Sequence, residues 1–349
     1  SGKIAWRRLK ENKAAMCGLF LILVAIIICI LGSLIRPDST PMANQMNLQL
    51  SIKSPGFTVT MLKVRRNELT QNKGIISGMF LGGKAPEYQL LPIEKSWFEG
   101  ADVVVSEYTG LEGTTGIVHR FSLADVIYPL AYAGKINKDG KGNLFFTTID
   151  GTIQIESILK LQSIIKEEHI YTKTYFLGTD RFGRDLLSRI MAGTFISLSV
   201  GLIAITISLI IGILLGSLAG FFGGKTEQAV LWLINVVWSV PTLLLVIAIT
   251  MVLGTGYWQL FVAVGLTMWV EVARLVRGQM KVLKEKEFVE AGRALGYSPV
   301  RILLKHLIPQ VIGPAMVIAT ANFANAILLE AGLSFLGIGV QPPMPSWGS

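Results

Sequence analysis

Residues 14–35, AAMCGLFLILVAIIICILGSLI, form an unbroken run of 22 residues without a charged side chain. At a helical rise of about 1.5 Å per residue, such a run crosses a hydrocarbon layer of roughly 30 Å. In that layer each backbone N–H and C=O must bond within its own segment, so the run can only be a membrane helix. Lys3, Arg7, Arg8, Lys10 and Lys13 precede it, as basic residues precede a secretory leader. A leader's apolar part is about 7–15 residues long and ends at an A-x-A-like site. This run is longer and ends at Ile35-Arg36-Pro37, so it reads as a retained span. Further apolar spans are expected at about 195–222, 229–253, 258–276 and 310–332, five crossings in all.

Composition agrees. Charged residues are 16% of the 349, against about 25% in an ordinary soluble domain. The 51% apolar content excludes a disordered chain, and two cysteines cannot make a disulfide scaffold. Cys17 and Cys29 both lie in the first span, where a thiol packs like a small apolar side chain.

The net charge of +9 sits in two places. Residues 1–13 hold five basic and one acidic residue; residues 271–306 hold eight basic and four acidic. Lys and Arg accumulate on the cytoplasmic side of a membrane protein, and five crossings put both segments on one side. The charge is therefore an inside label, and nucleic acid is not an expected partner. Residues 37–176 lie outside on this reading.

That outer segment has another texture. Alternating runs at 57–62 and 102–105 read as strands, and 144–149 and 152–155 flank Asp150-Gly151 as a hairpin. Helices are expected at about 122–133 and 156–168, and a turn at 137–140. Gly116 and Gly151 each lead through a strand-like run to a Ser, Ser122 or Ser157, in a faint repeat. The segment reads as a small inserted α+β domain. His119 and His169 stand isolated, as surface histidines do, and no metal-ligand spacing or nucleophile elbow occurs.

Gly212, Gly216 and Gly220 line one face of the 195–222 span, where small residues let a neighbouring helix approach closely. Gly223-Gly224-Lys225-Thr226 imitates the end of a phosphate-binding loop, but Ala219 occupies the place of its first glycine and a membrane span precedes it. The chain thus has no nucleotide site or enzymatic centre of its own. Asn322 and Asn325 share a face of the fifth span near Glu330; such groups turn toward a bundle interior or a watery path. Pro241 and Pro314 are expected to kink their spans.

Residues 277–309 read as two helices broken at Gly296, with Ser298 and Pro299 opening the second and Pro309 closing it. Glu290-Ala291-Gly292 puts two minimal side chains after a carboxylate, suited to entering a groove on another protein. A solvated cationic loop at the headgroups is the other reading.

Glu290-Ala291-Gly292, Gly296 and the close Leu307-Ile308-Pro309 resemble the EAA loop of permease subunits in binding-protein-dependent ABC importers. Gly178-Thr179-Asp180, then Gly183-Arg184-Asp185, resembles the signature before the second helix of the oligopeptide/dipeptide/nickel permeases, C-type subunit. Residues 333–348, LSFLGIGVQPPMPSWG, are similar to the segment before that family's last helix. The resemblance implies an α-helical polytopic protein of a bacterial inner membrane, N-terminus inside, with a sixth span expected beyond Ser349. Implied partners are a second permease, two ABC ATPases that bind ATP and Mg, an extracytoplasmic solute-binding protein and a peptide-like solute. No cofactor is expected on this chain. The resemblance also implies that Glu290 contacts the ATPase, that Ala291, Gly292 and Gly296 allow a close fit, and that Pro309 anchors the return to the membrane. The outer insert is longer than that family's usual loop. A membrane receptor or scaffold sensing a ligand through 37–176 is the rival reading.

Overall fold

The computed structural model describes residues 2–68, 86–111, 113–114, 116–132, 134–140, 142–254 and 256–348. Two units, Ser1–Ala192 and Gly193–Ser349, divide the chain.

The first unit opens with α1 (Gly2–Glu11) and α2 (Lys13–Ile35). Asn12 separates them, its side chain accepting from the Ala15 N–H at 3.1 Å as an N-cap. Arg36 leaves the helical region because Pro37 follows it. After a short irregular stem, β1 (Phe57–Arg65), β2 (Tyr88–Glu99), β3 (Asp102–Glu107) and β4 (Val118–Ser122) form an antiparallel sheet with the much later β8 (Ile170–Tyr175). Its strand order is β4-β3-β2-β1-β8. Between β4 and β8 lie α3 (Leu123–Ile127), a small sheet of β5 (Asn137–Lys138), β6 (Asn143–Thr147) and β7 (Ile153–Ser157), and α4 (Ile158–Ile164). Leu123, Val126, Leu161 and Ile165 pack with Leu62, Leu91, Val103 and Val105 in one core.

The Asp150-Gly151 hairpin forms as expected between β6 and β7, with Gly151 at φ +82°. The helices are shorter than expected: α3 has five residues, and α4 runs into a π turn, Ile165–His169. Of residues 137–140, Asn137 and Lys138 pair with β6, leaving the turn to Asp139 and Gly140. The faint repeat survives as strand, Ser, helix at β4–α3 and β7–α4, but only Ser157 caps its helix through its side chain. His169 corrects the surface reading. It is 5% exposed, and its Nδ1 lies 2.8 Å from the Lys63 carbonyl oxygen.

The registers Phe57↔Tyr175 through Leu62↔Ile170 close the inserted domain on itself. The Thr179 N–H donates to the Lys53 carbonyl at 3.1 Å. The excursion therefore leaves and rejoins the chain at one place.

The second unit takes up α5 (Leu186–Phe222) from Gly193 and adds α6 (Gly224–Trp238), α7 (Thr242–Leu253), α8 (Tyr257–Leu283), α9 (Glu287–Ala294), α10 (Pro299–Ile302) and α11 (Ile308–Phe335). A π turn, Leu303–Leu307, joins the last two, so 299–335 is one helical run of 37 residues. Among the described residues, four helices are long and apolar enough to span a bilayer, or five if α6 and α7 together make one span.

The expected span at 229–253 is the main correction. It is two helices bent by 91° about Ser239–Pro241, a break and not a kink. Pro241 has no N–H and disfavours helical geometry at Val240, so the first helix stops before it. Pro309, expected to close a helix, instead lies inside the continuous run. Its i−4 carbonyl, Lys305, falls in the π turn, where the ladder shifts to Ile308 N–H donating to Leu303 O and the ring no longer interrupts it.

The glycine face meets α8. A Cβ at Gly212 would lie 2.6 Å from Val272 Cβ, at Gly216 2.5 Å from the Ala273 carbonyl, and at Gly220 2.5 Å from Met280 Cβ. Backbones this close are held by dispersion, which a larger residue would break.

Candidate functional site

The loop expected at 277–309 is narrower in the structure, because α8 continues to Leu283 and the last helical run starts at Pro299. Gly296 has φ +76°, and its N–H donates to the Arg293 carbonyl at 2.9 Å while that of Tyr297 donates to Gly292 at 3.0 Å. This pair of bonds is the Schellman end of a helix. Ser298 Oγ accepts from the Arg301 N–H at 3.3 Å and opens the next one. Tyr297 stacks on His306, with ring centroids 5.8 Å apart, and the Arg301 guanidinium lies 4.1 Å from its centroid.

The elbow has two faces. Val289 and Gly292 are buried with Ile302, Leu303 and Leu307. Glu290, Ala291, Phe288 and Leu295 are exposed, Leu295 by 72%. Gly292 therefore does not belong to the displayed surface with Ala291. One residue on a helix turns about 100°, which puts Gly292 against Tyr297 and Ile302 of its own chain. Pro309 is exposed, and Gly296 has nothing within 4 Å of a notional Cβ.

Residues 178–185 form a different object. Gly178 and Gly183 have φ +77° and +69°, and a Cβ on either would lie 2.2 Å from Lys53 O or 1.8 Å from Asn47 O. Thr179 Oγ1 accepts from the Lys53 N–H at 2.8 Å and donates to Leu50 O. Asp180 accepts from the N–H groups of Phe182 and Arg184 and from Arg184 Nε at 2.6 Å. Arg184 Nη1 also donates to Asn44 Oδ1 at 3.0 Å. Asp185 holds Ser188, whose Oγ accepts from the Asp38 N–H at 2.9 Å. Thr179, Arg184 and, through Ser188, Asp185 thus tie the stem after α2 to the start of α5, while Asp180 braces the turn from within. Nearby, burial pushes the Lys173 ammonium and the His169 imidazole down and the Tyr171 phenol up to about 12.

Asn322 and Asn325 line a cavity of about 370 Å³ together with Trp238, Thr242, Thr267 and Glu271. Glu330, expected beside them, does not line it. It is fully buried, accepting from Ser197 Oγ at 3.2 Å and from Ser334 Oγ at 2.7 Å. Ser334 and Ser197 in turn accept from the N–H groups of Val340 and Trp347, so Glu330 fixes the 334–348 segment. Glu271 was missed by sequence reasoning because, although it lies inside the expected 258–276 span, it was counted with the charges of 271–306; a lone acid in an apolar helix was the available signal. Glu227 was missed as well: it pairs with Arg277 at 2.5 Å and Lys281 at 2.6 Å, joining α6 to α8. Residues 223–226 are the turn and first residues of α6. Among the described residues, no group of three or more His, Cys, Asp or Glu is placed to hold a metal.

Comparison with known proteins supplies the family. Residues 212–349 match the binding-protein-dependent transport system inner membrane component, and residues 2–51 match the N-terminal TM domain of oligopeptide transport permease C. The oligopeptide transport system permease protein OppC of Bacillus subtilis is 40% identical over 178 residues, 51% of this chain and 58% of that protein. OppC of Haemophilus influenzae is 43% identical over 175 residues, 50% of this chain and 56% of that one. The dipeptide transport system permease protein DppC of Bacillus subtilis is 36% identical over 205 residues, 59% and 64% of the two chains. The matches thus span little more than half the length of these relatives. Among solved structures, the inward-facing methionine ABC transporter MetNI matches at 21% identity over 46% of this chain and 76% of that one, with a TM-score of 0.39. Over 212–349 the chain is thus similar to the binding-protein-dependent inner-membrane transport components, and over 2–51 to the N-terminal TM domain of oligopeptide transport permease C.

Proposed function

We propose that this chain is one of two permease subunits of an ATP-driven importer of peptides, forming half of the pathway and taking its power stroke at residues 284–298. The elbow carries the reading: a short, internally braced helix that buries Val289 and Gly292 while displaying Glu290 and Ala291. Such a rigid knob with little bulk seats in a groove of a moving partner, here an ABC ATPase holding ATP and Mg. An extracytoplasmic solute-binding protein would deliver the solute from the other side.

Orientation follows from charge. With α6 and α7 counted as one bent span, residues 1–13 and the elbow share a side, and both are rich in Lys and Arg. The inner face of a bacterial cytoplasmic membrane is that side, which leaves the inserted α+β domain outside. Were α6 and α7 a re-entrant pair, the two basic segments would face opposite sides. Reconstitution with its second permease, ATPases and binding protein tests the function: ATP-dependent uptake of a short peptide supports it, and vesicles that hydrolyse ATP without uptake refute it.

A further inference from the structure

In the cavity between α6, α7, α8 and α11, Glu271 lies about 18 Å from the cytoplasmic end of α8 and about 21 Å from its other end, near mid-membrane. It is exposed, and among the described residues it makes no ion pair. The cation one turn along α8, Arg274, turns to the Trp238 ring instead, at 3.6 Å from the centroid. An unpaired carboxylate at this depth marks a watery or cation-binding place.

Its neighbours are complementary to more than a bare cation. Asn322 is 3% exposed, yet its Nδ2 has no hydrogen-bond partner, so the cavity holds a buried donor awaiting an acceptor. Thr267 Oγ1 spends its proton on the Val264 carbonyl at 2.8 Å and can only accept from a guest. Non-helical backbone within a membrane is tolerated where it lines a cavity, and the break at Ser239–Pro241 is flanked by Trp238 and Thr242, both in the wall.

We infer that this cavity receives the amino terminus of a transported peptide, its ammonium on Glu271 and Thr267 and its first carbonyl oxygen on Asn322 Nδ2. An α-ammonium beside an amide carbonyl presents positive donors next to one acceptor, the inverse of a carboxylate beside an orphan N–H. Asn325, on the same wall, contacts the second residue of the peptide. The inference rests on the permease reading.

The test uses the reconstituted transporter with trialanine and N-acetyltrialanine, which differ at the amino terminus, a charged ammonium in the first and a neutral acetamide in the second. The trialanine-to-N-acetyltrialanine uptake ratio falls about tenfold in Glu271→Gln, as loss of one charge-assisted contact requires, and stays near wild type in Glu271→Asp. An unchanged ratio in Glu271→Gln, or an equal loss in Glu271→Asp, overturns the ammonium site while wild-type uptake leaves the permease reading intact. Wild-type vesicles that take up neither peptide on ATP addition refute the reading itself, and the site with it.

Discussion

Two stretches that resemble the same family are built on opposite principles. In residues 178–185 the polar atoms are spent within the chain: Thr179, Asp180, Arg184 and Asp185 all bond to the stem, to one another or to Ser188. At residues 287–296 the backbone is closed by internal bonds, but Glu290, Ala291 and Leu295 face outward. The first stretch is a clamp whose function ends within its own fold. The second is an exposed surface, which the proposed function assigns to contact with another molecule. Recurrence of a motif does not tell these apart; the destination of its hydrogen bonds does.

Breaking the clamp should therefore act on folding, and breaking the elbow on coupling. The largest effect is expected from Gly183→Val, where φ +69° and a carbonyl 1.8 Å from the new Cβ leave no relaxed conformation. A loss of about 4 kcal/mol or more is expected, read as protease sensitivity of the membrane-inserted chain. Gly296→Val adds only backbone strain, about 1–2 kcal/mol, since nothing crowds that position. It should nevertheless abolish stimulation of ATP hydrolysis by the loaded binding protein, with membrane insertion intact. If Gly296→Val and Gly183→Val fail in the same assay, the contrast between clamp and elbow collapses.

The inserted domain offers a smaller, pH-dependent effect. Burial holds the His169 pKa below its unfolded value of about 6.5. Between the two pKa values the unfolded chain binds more protons, so stability is present above pH 6.5 and is lost as pH falls toward the folded pKa. Hydrogen exchange in β1 and β8, corrected for intrinsic rates, should speed up as pH drops through 6.5 and lose this dependence in His169→Gln. The smallest effect on stability is expected from Ala291→Arg, within about 0.5 kcal/mol because the site is exposed, yet it too should end ATPase stimulation.

Much of this was legible in the residues. Apolar runs located the spans, and Gly296, Ser298 and Pro299 located the elbow, because caps and breakers act locally. What escaped depends on neighbours. Pro241 was visible as a disturbance, but a proline signals a break without giving its angle, here 91°. Pro309 looked like a terminator because a π turn has no sequence sign. Strand β2 went unseen since a bulge between Ile93 and Lys95 resets its alternation. At the sites, Glu290 and Ala291 lie on the displayed face, whereas Gly292 and Glu330 turn inward, a choice made by tertiary contacts.

On the proposed function, Ala291 meets an ATPase. In the assembled transporter, Ala291→Cys paired with single cysteines along the ATPase groove should give a disulfide cross-link that shifts in yield between nucleotide-free and ATP-bound states. A transporter that works while Ala291→Cys cross-links to no ATPase position in either state would contradict the account and favour a receptor or scaffold sensing through residues 37–176.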